Sequence, residues 1–285
     1  MRGDAFKKMC ASRISKLSRK LLYKRLLPHD TPSHTATTLV FAPHQDDETL
    51  GCGGTIIHKQ NAGTQVTVAF MTDGTASHRQ WMPATELKER RRAEAIDACN
   101  ILGVSRGNIR FLDLPDGNLC MYERQAVDEV AAIIDSSHPE EIFIPYQHDG
   151  TPDHEATYRI VVAALENSGY AGRIFEYPVW VWNHWPWVRL EPAFKRDFLR
   201  TAAEAARKGF GSRILSRFRC GLHVDGVLSR KRAALARHRT QMTAIVTGSP
   251  WPTLAAVAGG DFLECFFQPF EVFRCAPVTL TTCHQ

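Results

Sequence analysis

The chain has 285 residues, of which 44% are hydrophobic and 23% are charged, and this composition is typical of a globular protein with one substantial core. The formal net charge of +5 is too small to indicate a dedicated nucleic-acid-binding protein. No apolar run reaches the roughly 18 residues of a membrane span, and the N-terminus lacks the apolar stretch of a secretory signal. We therefore expect a cytoplasmic protein. The eight cysteines form no C-x-x-C pair, which favours reduced thiols over disulfides or a zinc finger.

The N-terminal segment is strongly basic: residues 2–25 carry lysines and arginines throughout and one acid, Asp4. Apolar residues recur among them with partial helical periodicity. This pattern is typical of a basic amphipathic helix that rests on an anionic membrane surface, and the alternative is a solvated extension. Residues 26–36 are rich in proline, histidine and threonine and predict a linker. We expect an extension and linker over residues 1–35 and one domain over residues 36–285.

A short apolar strand is predicted over residues 37–43, and the polar sequence HQDDE follows it directly at residues 44–48. In open parallel sheets the carboxyl ends of the strands face the crevice where ligands bind. Adjacent carboxylates repel each other unless a proton or a cation neutralises them. His44 and Asp47 are three residues apart, so a turn places them on the same side. A divalent metal is the simplest partner for this group.

A second apolar strand, residues 140–146, precedes Asp153 and His154. A catalytic zinc site usually has three nitrogen or oxygen ligands from the protein and an open position for water. His154 is therefore the best candidate for a third ligand beside His44 and Asp47. The alternative is that HQDDE is only a polar turn that caps the following helix.

Short apolar strands alternate with helical segments along most of the chain. The predicted strands cover residues 37–43, 65–74, 109–117, 140–146 and 173–180, and the predicted helices 49–62, 85–103, 122–136 and 153–169. This alternation indicates βαβ units, and we predict an α/β, Rossmann-like doubly wound, mostly parallel sheet with helices on both faces. A C-terminal α+β extension is predicted from a basic helical stretch at 194–221, a helix at 231–242 and two short strands within 261–274.

The sequence HQDDETLGCGG at 44–54 resembles the HPDDE signature of the PIG-L-like (LmbE-like) metal-dependent N-acetylglucosaminyl deacetylases. TPDHEAT at 151–157 is similar to the second signature of that family, which is usually HPDH. Supporting matches are TDG at 72–74, Arg91-x-x-Glu94, LPDGNL at 114–119 and KRAALARHRTQM at 231–242. The resemblance covers about residues 36–245 and implies a metal-dependent deacetylase domain.

We hypothesise that His44, Asp47 and His154 bind Zn²⁺, although two imidazoles and one carboxylate also suit iron, cobalt or manganese. Asp46 is adjacent to a ligand, where it can take the proton of a metal-bound water and later deliver it to the departing amine. The resemblance implies the same role, because the first aspartate of HPDDE is the base in the family.

Two further carboxylates, Glu48 and Asp153, are candidates for orienting the ligand imidazoles by accepting their second N–H. The alternative is that they are helix caps or surface carboxylates. One position departs from the family pattern, because Thr151 stands where the second signature begins with the histidine that the resemblance assigns to oxyanion stabilisation. The oxyanion donor is then the hydroxyl of Thr151, or His148 or His238 takes its place.

The resemblance implies that Arg79 and Asp116 contact sugar hydroxyls or phosphate. Tryptophans are concentrated over residues 180–187, and Trp182 and Trp185 are candidates for the wall of a substrate groove. The alternative is a covering loop that packs on the edge of the sheet.

These features predict a hydrolase that removes the acetyl group from an N-acetylated amino sugar or its conjugate. The basic stretch at 194–221 favours a phosphate-bearing, nucleotide-linked or lipid-linked substrate. Two other functions stay open: a metal-dependent phosphoesterase, which would need a second metal with further carboxylates, and a weakly catalytic carbohydrate-binding relative, which Thr151 suggests. We expect a small-molecule or lipid-linked partner, no nucleic acid, and contact of the basic N-terminus with a membrane surface as a hypothesis.

Overall fold

The computed structural model describes residues 2–188, 209–246 and 248–276. Its strands form a seven-stranded sheet in the order β3-β2-β1-β4-β5-β7-β6, with the first five strands parallel and β7 antiparallel to both of its neighbours. The strands are β1 Thr38–Ala42, β2 Val66–Thr72, β3 Ile109–Leu114, β4 Glu141–Pro145, β5 Arg173–Tyr177, β6 Cys220–His223 and β7 Phe270–Ala276. The predicted mostly parallel α/β sheet is confirmed.

Helices cover both faces of this sheet. They are α1 Arg2–Lys24, α2 Asp47–Asn61, α3 Ala84–Leu102, α4 Glu123–Ser137, α5 Pro152–Ser168, α6 Phe210–Arg217, α7 Leu228–Leu235, α8 Arg239–Met242 and α9 Asp261–Glu264. One buried cluster joins the sheet to α2 and α3, and a second joins its other face to α4 and α5. Every residue of β1, β2 and β4 is buried, because a parallel sheet covered on both faces needs apolar side chains on both faces.

The sheet changes its direction of winding between β1 and β4. The chain moves outward from β1 through β2 to β3, and then returns to place β4 on the other side of β1. Ligands of open α/β sheets bind at such a switch point, beyond the carboxyl ends of the strands. The residues that follow β1 and β4 therefore share one crevice, and these are the two predicted metal motifs.

The glycines after HQDDE allow α2 to lie unusually close to its neighbours. A Cβ atom on Gly51 would lie 2.2 Å from Cδ2 of Tyr177, and one on Gly54 would lie 2.6 Å from Cγ1 of Val224. Tyr177 is held in place because its hydroxyl donates a hydrogen bond of 2.7 Å to the carbonyl of Phe41. Gly51 and Gly54 thus serve close helix packing rather than binding of a nucleotide phosphate.

A buried ion pair anchors α2 from the C-terminal extension. Nζ of Lys231 lies 2.8 Å from Oε1 of Glu271, and it donates hydrogen bonds of 2.9 Å to the carbonyls of Leu50 and Phe266. Glu271 in turn accepts the backbone N–H of Gly54 at 2.6 Å. Both charged side chains are buried, so their mutual contact and their hydrogen bonds compensate the loss of hydration.

Three predicted elements of the extension differ from the structure. The helix predicted at 231–242 is two helices, α7 and α8, separated at residues 236–238. The region 261–274 holds the short helix α9 and only one strand, β7. Of the basic stretch at 194–221, residues 194–208 lie outside the described residues; the remainder forms α6 and then enters β6, because backbone pairing with β7 outweighs local helical periodicity there.

Helix α1 is not separate from the domain at its C-terminal end. Leu22 is fully buried in the main cluster, and Oγ of Ser15 donates a hydrogen bond of 3.2 Å to the carbonyl of Trp187. The predicted helical character of the basic segment is confirmed. Within the described residues, no helix combines the length and apolar character that crossing a bilayer requires.

The close packing of α2 gives a stability test. Alanine normally stabilises a helix interior relative to glycine by up to about 1 kcal/mol, but the Cβ of Gly51→Ala would overlap the Tyr177 ring. We expect this variant to lose about 1–3 kcal/mol of unfolding free energy, measured by chemical denaturation. Gly107→Ala is the matched control, because a Cβ there meets no atom within 4 Å. A Gly51→Ala protein at least as stable as the parent would contradict this packing.

Candidate metal centre

The turn between β1 and α2 holds the first group of polar side chains in a strained conformation. Asp46 has a φ of 142°, a backbone angle that residues other than glycine rarely adopt. Its backbone N–H donates a hydrogen bond of 3.0 Å to Glu48, and the N–H of His44 donates one of 3.0 Å to Oδ2 of Asp47. Local strain of this kind persists where surrounding contacts hold the backbone, and it is concentrated at functional sites.

The two predicted motifs meet at Asp47. Its Oδ2 atom lies 3.2 Å from Nδ1 of His44 and 3.2 Å from Nε2 of His154. Asp47 is the first residue of α2 and His154 lies in the first turn of α5, so both follow directly from the ends of β1 and β4. One ligand atom from each of the three residues lies within 4.8 Å of the others. The arrangement brings two imidazoles and one carboxylate to a single point.

The chemistry of this group fits a divalent cation. Both ring nitrogens of His154 are buried, with Nδ1 against Oδ2 of Asp149 and Nε2 against Oδ2 of Asp47. Burial alone would lower the pKa of His154, but Asp47 and Asp149 outweigh it and raise the pKa to about 9. Burial alone would raise the pKa of the Asp47 carboxyl group, but the imidazoles of His154 and His44 outweigh burial and lower that pKa. The surrounding carboxylates therefore favour positive charge at this point, which a metal ion would supply.

Asp149 orients His154, and sequence reasoning missed it. Its Oδ2 lies 2.8 Å from Nδ1 of His154, and its two oxygens also accept the backbone N–H groups of Val179, Trp180 and Val181 at 2.9–3.1 Å. Such a carboxylate sets the ring orientation of a metal-binding histidine. The sequence shows an acid in the loop between β4 and the second motif. Only the fold shows that this acid faces His154.

The other nitrogen of His44 faces two carboxylates. Nε2 lies 3.2 Å from Oδ1 of Asp116 and 3.3 Å from Oδ2 of Asp153. These three residues also have metal-ligand spacing, but Asp153 already accepts the N–H of Gly117 at 2.7 Å and Asp116 that of Ala76 at 2.7 Å. Asp153, one of the two predicted orienting carboxylates, thus contacts His44. Asp116, which the resemblance assigned to substrate, also lies against this imidazole.

Glu48, the other predicted orienting carboxylate, contacts His238 rather than His44 or His154. Its Oε1 lies 3.0 Å from Nε2 of His238, and both side chains are fully buried. Because Glu48 also accepts the N–H of Asp46, it links the late segment of the chain to the strained turn. Asp46 itself is buried, and burial together with the charge of Asp47 raises the pKa of its carboxyl group to about 8.

The segment that holds these side chains is similar to a known protein family. Residues 39–165 match the family model described as PIG-L: GlcNAc-PI de-N-acetylase. The matched segment starts in β1 and ends in α5, and it contains His44, Asp47 and His154. Residues 39–165 of this chain are thus similar to the PIG-L family. This confirms the resemblance inferred from the two motifs.

Proteins similar to this chain occur in bacteria and archaea. A Bacillus cereus protein named as a probable N-acetyl-α-D-glucosaminyl L-malate deacetylase is 34% identical in an alignment of 133 positions that covers 45% of this chain and 60% of that protein. The alignment therefore spans less than two thirds of this relative. The 1D-myo-inositol 2-acetamido-2-deoxy-α-D-glucopyranoside deacetylase of Mycobacterium leprae is 28% identical in an alignment of 265 positions that covers 76% of this chain and 83% of that protein.

A solved structure shares the fold over nearly the whole chain. The N,N′-diacetylchitobiose deacetylase of Pyrococcus horikoshii aligns with a TM-score of 0.64 and 20% identity, and the alignment covers 95% of this chain and 94% of that one. At this identity the likeness concerns the fold alone, since one fold can host several activities. It supports the mixed sheet with a C-terminal extension.

The remaining predicted residues lie outside the group formed by His44, Asp47 and His154. Among the described residues, Oγ1 of Thr151, immediately before α5, is buried and has no hydrogen-bond partner. His148 and Arg79 are exposed. Trp182 is buried and meets the ring of Trp187 edge-on at 5.0 Å, so its faces are unavailable to a sugar and the covering-loop alternative describes it better. Trp185 is 46% exposed and stays a candidate for substrate contact.

The contact between Asp149 and His154 gives a test of metal affinity. An amide in Asp149→Asn would present a donor or a weaker acceptor to Nδ1, so we expect Zn²⁺ to bind about 10- to 100-fold more weakly. The measurement is calorimetric titration of folded protein with Zn²⁺. Asp128→Asn, a substitution of the same type at an exposed position of α4, serves as the control. Equal affinities for the parent and a folded Asp149→Asn protein would refute the orienting role.

Proposed function

We propose that this protein is a zinc-dependent N-deacetylase that removes the acetyl group from an N-acetylated amino sugar or its conjugate. The observation that carries the proposal is the meeting of His44, Asp47 and His154 next to the buried carboxyl group of Asp46. The names of the relatives support the substrate class, since each describes a deacetylase of a compound that contains an N-acetylated glucosamine unit.

The proposed metal ligands are Nδ1 of His44, Oδ2 of Asp47 and Nε2 of His154. Two nitrogen donors and one carboxylate are a common protein ligand set for catalytic zinc. A zinc ion bound there would lower the pKa of a water molecule and polarise the carbonyl of the substrate amide. The contacts of Asp149 with His154 and of Asp153 with His44 hold the two rings in the orientation that this set requires.

Asp46 is the proposed general base and acid. A carboxyl group whose pKa is raised to about 8 can accept a proton at one of its oxygens and release it again near neutral pH. It would take the proton from the attacking water and deliver it to the nitrogen of the leaving amine. The positive φ of Asp46 and the hydrogen bond from its N–H to Glu48 hold this carboxyl group beside the proposed ligands.

Thr151 is the proposed donor to the negative charge that develops on the carbonyl oxygen. Its hydroxyl is buried at the start of α5, three residues before His154, and finds no partner in the part of the chain that the structure describes. His238 stays the alternative donor, because Glu48 engages only its Nε2, and its Nδ1 is buried without a hydrogen-bond partner among the described residues. A neutral hydroxyl stabilises an oxyanion less than an imidazolium does, so we infer slow turnover relative to relatives that carry histidine at this position.

The phosphoesterase alternative receives less support from the site. It would need a second metal, and the other group with suitable spacing is His44, Asp116 and Asp153. Both of those carboxylates accept backbone N–H groups, and the same imidazole would have to serve both ions. A single metal is therefore the simpler proposal.

Substitution of the proposed base separates catalysis from metal binding. Asp46→Asn keeps the shape of the side chain but cannot accept the proton, so we expect acetate release to fall by about 10²- to 10⁴-fold with unchanged zinc content. The assay is release of free amine from N-acetylglucosamine conjugates, with Asp128→Asn as the control. A rate equal to that of the parent would show that Asp46 has a different role.

Metal removal tests the centre as a whole. We expect a chelator to abolish acetate release and Zn²⁺ to restore it, and we expect Zn²⁺ to raise the melting temperature because it binds only the folded state. His154→Ala should show neither the restored activity nor the thermal shift. Undiminished acetate release by chelated, metal-free protein would overturn the proposal.

A further inference from the structure

Helix α1 is attached to the domain by one of its faces. Leu22 is fully buried in the main cluster, the ring of Tyr23 lies 5.1 Å from that of Phe270, and Ser15 and Arg19 donate hydrogen bonds to the carbonyl of Trp187. These contacts fix how the helix is rotated about its own axis. The direction of its remaining side chains is therefore determined.

An apolar stripe lies on the outward side of the same helix. Ile14, Leu17 and Leu21 are 41%, 69% and 46% exposed, and their spacing of three and four residues places them on one face. At 100° per residue the centre of this stripe is roughly 150° from the centre of the buried face. The stripe therefore points away from the domain into solvent, where the exposure of apolar side chains to water is unfavourable.

A row of cations runs beside the apolar stripe. Arg13, Lys16, Lys20 and Lys24 are exposed and repeat at intervals of three or four residues, roughly 90° around the helix from the stripe. Asp4 is the one acid of α1 and precedes Arg13 by nine residues, so no acid of the helix stands three or four residues from a cation of this row. Apolar and cationic stripes side by side are the pattern of helices that lie in the interface of an anionic bilayer.

We propose that the outward face of α1 docks the protein on an anionic lipid bilayer. The apolar stripe enters the boundary between headgroups and acyl chains, and the cation row binds lipid phosphates and carboxylates. A second protein molecule fits the surface less well, because three half-exposed side chains on a convex helix offer far less than the roughly 800 Å² per partner of a stable protein interface. This docking is independent of the proposed deacetylation.

The test is flotation of the full-length protein with vesicles of phosphatidylcholine alone or of phosphatidylcholine with phosphatidylserine. We expect recovery with the anionic vesicles only, and loss of recovery as salt is raised. Leu17→Glu should lower the partition coefficient by about tenfold or more, and Lys20→Ala by about fivefold, the effect of one cation near the surface.

Met121→Glu is the matched control, since Met121 is 79% exposed outside α1 and should leave flotation unchanged. Circular dichroism and deacetylation of a water-soluble N-acetyl sugar show whether Leu17→Glu is folded, and they separate this proposal from that of the deacetylase. Absence of flotation by the parent, or equal flotation by the parent and a folded Leu17→Glu protein, would overturn the proposal. So would recovery with neutral vesicles equal to that with anionic ones.

A change of oligomeric state in Leu17→Glu, observed by size-exclusion chromatography without any flotation of the parent, would assign the stripe to a second copy of the chain and also refute membrane docking.

Discussion

Compensation of buried negative charge is the constraint on which the rest of this structure depends. Carboxylates converge at the end of β1 and β4, where hydration is largely lost, and each of them needs a donor or a cation. Backbone N–H groups compensate Asp149 and Asp153, and two imidazoles compensate Asp47. The imidazoles are themselves drawn towards the charged form by these neighbours. A site built in this way has the electrostatic character of a cation-binding centre before any ion is added.

The C-terminal extension determines where α2 lies, and therefore where this charge is concentrated. Lys231 and Glu271 form a buried ion pair that also binds backbone groups of α2. Removing one partner of such a pair leaves a buried charge without compensation, which typically costs about 3–5 kcal/mol. Structural elements distant in sequence thus contribute to a centre whose proposed ligands all come from residues 39–165, the segment that matches the PIG-L family model.

A second connection from the extension reaches the strained turn itself. His238 contacts Glu48, and Glu48 accepts the N–H of Asp46. The interruption between α7 and α8 lies at the position of His238, so the break that local periodicity did not predict coincides with a tertiary contact. Two polar residues of the late segment, Lys231 and His238, therefore support α2 and the turn before it.

Local sequence determined the order of strands and helices, because the alternation of short apolar runs with amphipathic helices is imposed by burial on both sides of a parallel sheet. It also determined which residues could form a metal centre, since His44, Asp47 and His154 follow strands whose ends must share one crevice. The tertiary structure decided which carboxylate faces which ring. Asp149 rather than Glu48 contacts a proposed ligand, and Trp182 is core rather than groove, because such contacts depend on how distant elements pack and not on local periodicity.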